Sequence, residues 1–300
     1  MTSARPRPFE LVPRLRFSGS PLGRRRSARR GRGDEMAGAR PYRPGDLVAH
    51  IHWPASARLS AARGSDEFVV RQFYADEAPR VALALDRRRG MDAHDPTIPW
   101  LDKRSAVESV VDLVALSAFA EGADLAVADG TGAAPRWSHA GGRVLKPRGG
   151  FDAPEQSLRL SLEALLRRSA ELPAGSFVFA VSDFLVPVPA ETWLRLRAFG
   201  WEVVPVVVQD PVWEQSFPEV GGVVLPLVDA DTGRAEDIWL SAADARKRAE
   251  EHRQRLERIV GLFGRLGYDP VVVGTSDPFA ISALFGRWAE HRRLLRRAHA

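Results

Sequence analysis

The stretch Val81-Ala82-Leu83-Ala84-Leu85-Asp86 runs an unbroken apolar segment into a carboxylate. Five residues without polar alternation read as a strand covered on both faces, the habit of a parallel sheet. Four more runs of this kind follow at residues 125–128, 177–181, 203–208 and 271–273. Helical patterns lie between them. Residues 103–120 are apolar nearly all round, as in a crowded layer, while Leu158, Leu162, Leu165 and Leu166 form a one-sided stripe. Ser241 is placed to cap a long helix carrying Leu256, Ile259, Val260, Phe263 and Leu266 on one face, stopped by Gly267. A last helix, from about Pro278 to Arg297, ends in arginines that suit the negative end of its dipole.

Strand and helix in alternation predict an α/β fold with a doubly wound, mostly parallel sheet. Pro205 cannot donate to a ladder, so the run at 203–208 is expected at the periphery or at a bulge. Val223–Val228, the turn Asp229-Ala230-Asp231-Thr232-Gly233 and residues 238–240 predict a β-hairpin inserted at about 222–240. Residues 44–80 are aromatic-rich and alternating, without helical pattern. The expected division is therefore a flexible basic arm at 1–30, a small N-terminal β subdomain at 31–80, and an α/β domain at 81–300.

With 300 residues and 45% hydrophobic content the chain is long enough to bury a large core. Zero cysteine excludes disulfides, cysteine-ligated zinc and a cysteine nucleophile. Of 43 basic residues only Lys103, Lys146 and Lys247 are lysine, the bias of a GC-rich coding sequence. The net charge of +5 is unevenly spread: residues 1–43 hold twelve arginines against three carboxylates, a balance of +9, so the other 257 residues carry −4. Such an arm suits phosphate. No run is apolar for long enough to span a bilayer and the N-terminus lacks a signal-peptide core, so the expectation is a cytoplasmic protein with no transmembrane segment.

A set of ordered motifs resembles a known family. Tyr42-Arg43-Pro44-Gly45-Asp46, then Ile51-His52-Trp53-Pro54-Ala55-Ser56-Ala57-Arg58 and Val69-Val70-Arg71-Gln72-Phe73 are similar to the signature of the bacterial domain of unknown function 58 (DUF58) family. Residues 81–86, Val181-Ser182-Asp183-Phe184, the stretch from Pro205 to Asp210-Pro211, Phe217-Pro218-Glu219-Val220-Gly221 and the 229–233 turn follow in the family's order. The resemblance covers about residues 31–290. It implies a von Willebrand factor A-like domain, of Rossmann type, and association with MoxR-type AAA ATPases.

The resemblance also implies a place to look for a metal. In von Willebrand A domains a divalent ion is held by Asp-x-Ser-x-Ser after the first sheet strand, a Thr from a later loop and an Asp after the fourth strand. Asp86 and Asp183 hold the two aspartate positions here. Arg88 and Gly90 stand where the serines would be, and residues 146–151 offer neither Thr nor Ser. Two oxygen ligands are missing, and arginine brings like charge against a cation. The expectation is a degenerate, metal-free rim, with Asp86 and Asp183 as weak metal candidates, no cofactor, and arginine pairing with one of the aspartates.

Other candidates carry plainer readings. His50 and His52 would share one side of a strand, a spacing a metal can use, though His52 falls where the family has Asp. Asp92, His94 and Asp95 read as a solvated loop. Trp53 and Arg58 are expected to brace the β subdomain against the sheet, with Tyr42, Pro44, Gly45 and Asp46 as structural motif residues. No GxSxG, HExxH, P-loop or complete GxGxxG occurs, so no enzymatic reaction is expected. The functional expectation is a protein-interaction module that partners a MoxR-type AAA ATPase through residues 86–91, 149–151 and 183–185. The alternative is a polyanion binder, of nucleic acid or an anionic membrane surface, acting through the arginine arm. With no base-reading motif, nucleic acid is not the expected partner.

Overall fold

A computed structural model describes residues 6–13, 20–92, 101–129, 136–140, 150–229 and 232–298. Its centre is a six-stranded sheet whose strands, from edge to edge, are residues 271–273, 202–208, 177–182, 80–85, 124–129 and 136–140. Five strands are parallel: β3 (Arg80–Leu85), β4 (Asp124–Asp129), β6 (Phe177–Ser182), β7 (Glu202–Val208) and β10 (Val271–Val273). All five apolar runs are strands of this sheet. The sixth, β5 (Arg136–Ala140), pairs antiparallel with β4 at one edge and has no sequence signature of its own.

Alternate residues of these strands feed two cores, one on each face. Val81, Leu83, Leu85, Phe177 and Phe179 pack with α2 (Lys103–Ala120) and α6 (Pro278–Ala298). Ala82, Ala84, Val178 and Ala180 pack with α3 (Ser157–Arg167), α4 (Ala190–Ala198) and α5 (Ala242–Arg265). The small alanines of β3 on the second face let helices come close, and the large residues opposite fill the first. The structure is thus a mixed α/β fold with a five-strand parallel sheet between helix layers, consistent with a Rossmann-like fold.

Pro205 sits in an internal strand, not a peripheral one. It pairs with Ala180 on one side, while β10 begins its pairing only at Val206, so the missing N–H falls where β7 has a strand on one side only. Ser241 caps α5 as expected, accepting from Asp244 N at 3.1 Å, with Asp244 reaching back in a capping box. The hairpin forms from β8 (Val223–Val228) and β9 (Ala235–Leu240) in register, Val223 opposite Leu240.

Upstream, two expectations fail. Residues 53–63 form a helix, α1 (Trp53–Arg63), between β1 (Ser20–Pro41) and β2 (Val69–Ala78), which pair antiparallel as a separate two-stranded ribbon. The helix has almost no apolar stripe to betray it; only Ser56 of its residues is buried. It starts because Pro54 suits a first turn and His52 accepts from Ala55 N at 3.2 Å.

Nor is the described segment 6–13 solvated: Phe9, Leu11 and Val12 lie in the main core. Phe9 packs on Phe285 at 4.7 Å and on Trp288 at 5.7 Å, and its N–H donates to Ser117 Oγ at 3.0 Å. Arg292 donates to the Val12 carbonyl at 3.1 Å, to Glu202 at 3.0 Å and to Asp269 at 2.9 Å. The arginine expected to serve only a helix dipole is therefore a buried clamp on the N-terminal segment.

Candidate functional site at the carboxyl rim

The chain reverses direction across the sheet beside β3: β4 lies on one side of it and β6, next in the core but later in sequence, on the other. In open α/β sheets the crevice at that point, outside the carboxyl ends of the strands, is where ligands bind. Asp86 follows β3 and Asp183 follows β6, so both open onto it. The Asp86 N–H donates to Val181 O at 3.0 Å, which ties the two strand ends together.

Between the two carboxylates lies Arg88. Its Nε donates to Asp86 Oδ2 at 3.1 Å and its Nη2 to Asp183 Oδ1. Ser182 Oγ donates to the same Asp86 Oδ2 at 2.7 Å. Lys103, the first residue of α2, reaches Asp183 Oδ2 at 3.0 Å, the Gly90 carbonyl at 3.2 Å and Glu214 Oε1. A buried cation on the first turn opposes the helix dipole, so Lys103 is held there by its carboxylates and not by the helix. Next to this group Arg87 makes a two-pronged pair with Asp129, at 2.6 and 2.9 Å, and its guanidinium lies 4.8 Å from the Phe151 ring.

Two cations thus serve three carboxylates, with Asp86, Arg88, Lys103 and Asp183 buried and Glu214 half-buried. Burial pushes the Asp86 carboxyl up, and the Arg88 charge only partly offsets it. Burial also pushes Glu214 up against the pull of Lys103. Asp183 is desolvated as well, but Lys103 and Arg88 together outweigh that and hold it below the usual carboxylate range. Asp183 is the electrostatic centre of the group. The residue after it, Phe184, adopts a left-handed backbone with φ 55°, unusual for a residue with a Cβ. Its buried ring packs edge-on to Phe263 at 5.0 Å, and its N–H donates to Ser182 Oγ at 3.0 Å.

This arrangement does not fit a divalent ion held by Asp86 and Asp183. The oxygens that would ligate it already accept from Arg88, Lys103 and Ser182, and an added ion would meet two buried positive charges. Among the described residues no group of three or more His, Asp or Glu side chains is arranged to hold a metal.

Several sequence candidates land elsewhere. His50 lies on a 3-10 turn and His52 caps α1, so they do not share a strand face. Trp53 is 58% exposed and touches Phe68 edge-on at 6.2 Å; Arg58 back-bonds to Pro54 O at 3.1 Å. Neither braces the sheet, because both ride on a helix that keeps them in solvent. Asp92 pairs with Arg104 on α2 at 2.6 Å, while His94, Asp95 and residues 146–149 lie outside the described residues. Of the expected interaction surface at 86–91, only Arg89 is exposed among its three arginines. What opens beside it is a cleft of about 240 Å³ lined by Asp86, Glu155, Gln156, Arg159 and residues 186–189.

The Tyr42–Asp46 motif has a local explanation. Pro44 and Gly45 are the corner of a turn closed by Asp46 N donating to Arg43 O at 3.0 Å, and Gly45 takes φ 101°, which disfavours any side chain. Asp46 then receives Arg40 through both nitrogens, at 2.7 and 2.5 Å, and Arg43 N at 2.8 Å. The Arg40 guanidinium holds its carboxyl down to about 2.

A family match described as protein of unknown function DUF58 spans residues 38–258 of the chain. The chain belongs to the DUF58 family. Among its relatives are uncharacterized proteins of Mycobacterium bovis and Mycobacterium tuberculosis, each 26% identical over 267 residues, covering 85% of this chain and 80% of theirs. A solved structure of the conserved hypothetical protein BatB from Bacteroides thetaiotaomicron aligns at 14% identity, over 71% of this chain and 99% of that one, with a TM-score of 0.35. The rim residues Asp86, Arg88, Lys103, Asp183 and Glu214 all lie inside the matched DUF58 span.

Lys103 and Glu214 were not singled out from the sequence. One signal existed: in a chain where arginine outnumbers lysine forty to three, each lysine is a departure from the coding bias. The compact ammonium of Lys103 spends its three donors on Asp183, Glu214 and the Gly90 carbonyl.

Proposed function

We propose that this DUF58 chain is a non-enzymatic protein-interaction module of von Willebrand factor A-like type whose carboxyl rim docks a partner without a metal. The observation that carries the reading is Arg88 seated between Asp86 and Asp183. At the position where relatives of that fold type would hold an ion, this chain supplies its own positive charge. The acid and base groups there are spent on each other, so the rim offers shape and surface charge instead of a reacting group. Glu155, Gln156, Pro187 and Pro189 are the exposed residues of the cleft beside Asp86, and Arg89 is exposed on the turn that follows Asp86. By family resemblance the partner is a MoxR-type AAA ATPase, with this chain acting as its adaptor in assembling or remodelling a protein complex.

The test is affinity capture with a purified MoxR-type AAA ATPase. Charge reversal is confined to the exposed positions, Arg89→Glu with Glu155→Arg, because Arg87 and Arg88 are buried and paired. Capture by the native chain, weakened at least tenfold in the double variant with unchanged folding, is the expected result. No capture, or capture indifferent to the two reversals, contradicts it.

A further inference from the structure

We propose that the free edge of the β8–β9 hairpin takes up an extended segment of another protein as a third strand, one that carries a basic residue between apolar ones. The hairpin stands apart from the main sheet as two strands alone, and a two-stranded sheet is marginal by itself. One of its faces is covered, since Leu240 packs with Phe217 and Leu225 lies against them. The other face sets Val224, Pro226 and Val228 opposite Trp239, Asp237 and Ala235. On that face Val224 is 55% exposed, Val228 63% and Trp239 64%.

The backbone identifies a strand as the occupant. Antiparallel pairs alternate between residues that bond each other and residues whose N–H and C=O groups face away. Asp229 N donates to Arg234 O at 2.9 Å, so bonding falls on that pair and on every second pair beyond it. Pro226 and Asp237 therefore form a pair that faces outward. On β8 this puts a residue without an N–H on the outer edge, which blunts it. On β9 the outward groups belong to Ala235, Asp237 and Trp239, all exposed and without a hydrogen-bond partner among the described residues. One edge is thus closed and the other is open to strand addition.

Charge identifies the side chain. Asp237, in the middle of the open edge, makes no ion pair among the described residues. A cation directly across from it on an added strand supplies the favourable cross-strand pair. Ala235 and Trp239 flank it on the same face and match apolar residues two positions to either side. A second copy of β9 paired about this residue would set Asp237 against Asp237, which disfavours self-association. This edge is separate from the carboxyl rim and does not depend on the reading given to that rim.

The test is calorimetric titration of the full chain with the peptide acetyl-Thr-Val-Thr-Lys-Thr-Val-Thr-amide and with its counterpart carrying Glu in place of Lys. Saturable binding of the lysine peptide, about tenfold tighter than that of the glutamate peptide, is expected. In Asp237→Lys the order of the two peptides should invert. Ala235→Pro, which removes one outward N–H, should weaken both peptides with the circular dichroism melt unchanged. The proposal is overturned by no saturable binding of the lysine peptide, by equal binding of the two, or by an order that survives Asp237→Lys. A native chain already dimeric in solution, and made monomeric by Ala235→Pro, would overturn it as well.

Discussion

Lys103, at the first turn of α2, donates to Asp183 Oδ2 at 3.0 Å from eighty residues away in the chain. With Arg88 on the other oxygen, Asp183 becomes a carboxylate flanked by two buried cations. Removing its charge takes from Arg88 and Lys103 the carboxylate they share. Asp183→Asn should destabilise the fold by about 3–5 kcal/mol, the cost of breaking a buried pair from one side. Asp86→Asn should cost clearly less, since burial already pushes the Asp86 carboxyl toward its neutral form. Urea denaturation of the two variants decides it, and equal losses would show that the charge is shared evenly.

The same group sets a pH dependence. Asp183 is held below the ordinary carboxylate range, so its contribution is present above the unfolded-state pKa and fades as pH falls through the folded one. Asp86 and Glu214 are raised, so theirs runs the opposite way, present in acid and lost as pH rises through their folded values. Stability measured from acid to neutral pH should lose part of its acid-sensitive limb in Asp183→Asn and keep all of it in Glu214→Gln.

Asp46 gives an isolated version of this effect. Its carboxyl is held down to about 2, chiefly by Arg40 with help from the Arg43 N–H, and it should rise toward the ordinary 3.8 in Arg40→Gln. In the native chain the Arg40 pairing stabilises the turn above pH 3.8 and fades as the pH falls toward about 2. A carboxyl titration followed by NMR reads this directly; an unmoved Asp46 in the variant would contradict the pairing.

Phe9 tests the N-terminal segment. Truncating a buried phenylalanine costs about 3–5 kcal/mol, and Phe9→Ala should fall in that range because three aromatic rings, Phe179, Phe285 and Trp288, line its site. A solvated arm would show no loss. For the same reason deletion of residues 1–30 is a poor probe of arginine function, since it also removes Phe9, Leu11 and Val12 from the core.

Gly221 lies against the start of α5. A Cβ there would sit 2.5 Å from Ala242 N, which is backbone and cannot swing aside. Gly221→Ala should lower the melting temperature by shifting the hairpin from α5, whereas Gly264→Ala, with open space around it on α5, should be neutral or mildly stabilising.

How far the sequence could be read follows from these residues. Strands β3, β4, β6, β7 and β10 were legible because burial on both faces removes polar residues altogether, and α5 because Ser241 and Asp244 form a cap by local spacing. Helix α1 was not, since it buries only Ser56 and so carries no apolar period. Phe9, Leu11 and Val12 were hidden by the arginines around them, whose charge outweighs three apolar residues in any composition window. At the rim, Asp86 and Asp183 were legible from strand ends and family order. Lys103 and Glu214 were not, because nothing local links positions 103, 183 and 214; only the fold brings them within hydrogen-bond reach.

The central claim is that Arg88 and Lys103 supply the charge that a bound ion would otherwise bring to the rim. Calorimetric titration of the full chain with Mg²⁺ and Mn²⁺ tests it most directly. The account predicts no saturable heat for either ion, in the native chain and in Asp86→Ala alike. Micromolar binding by the native chain that disappears in Asp86→Ala would contradict it.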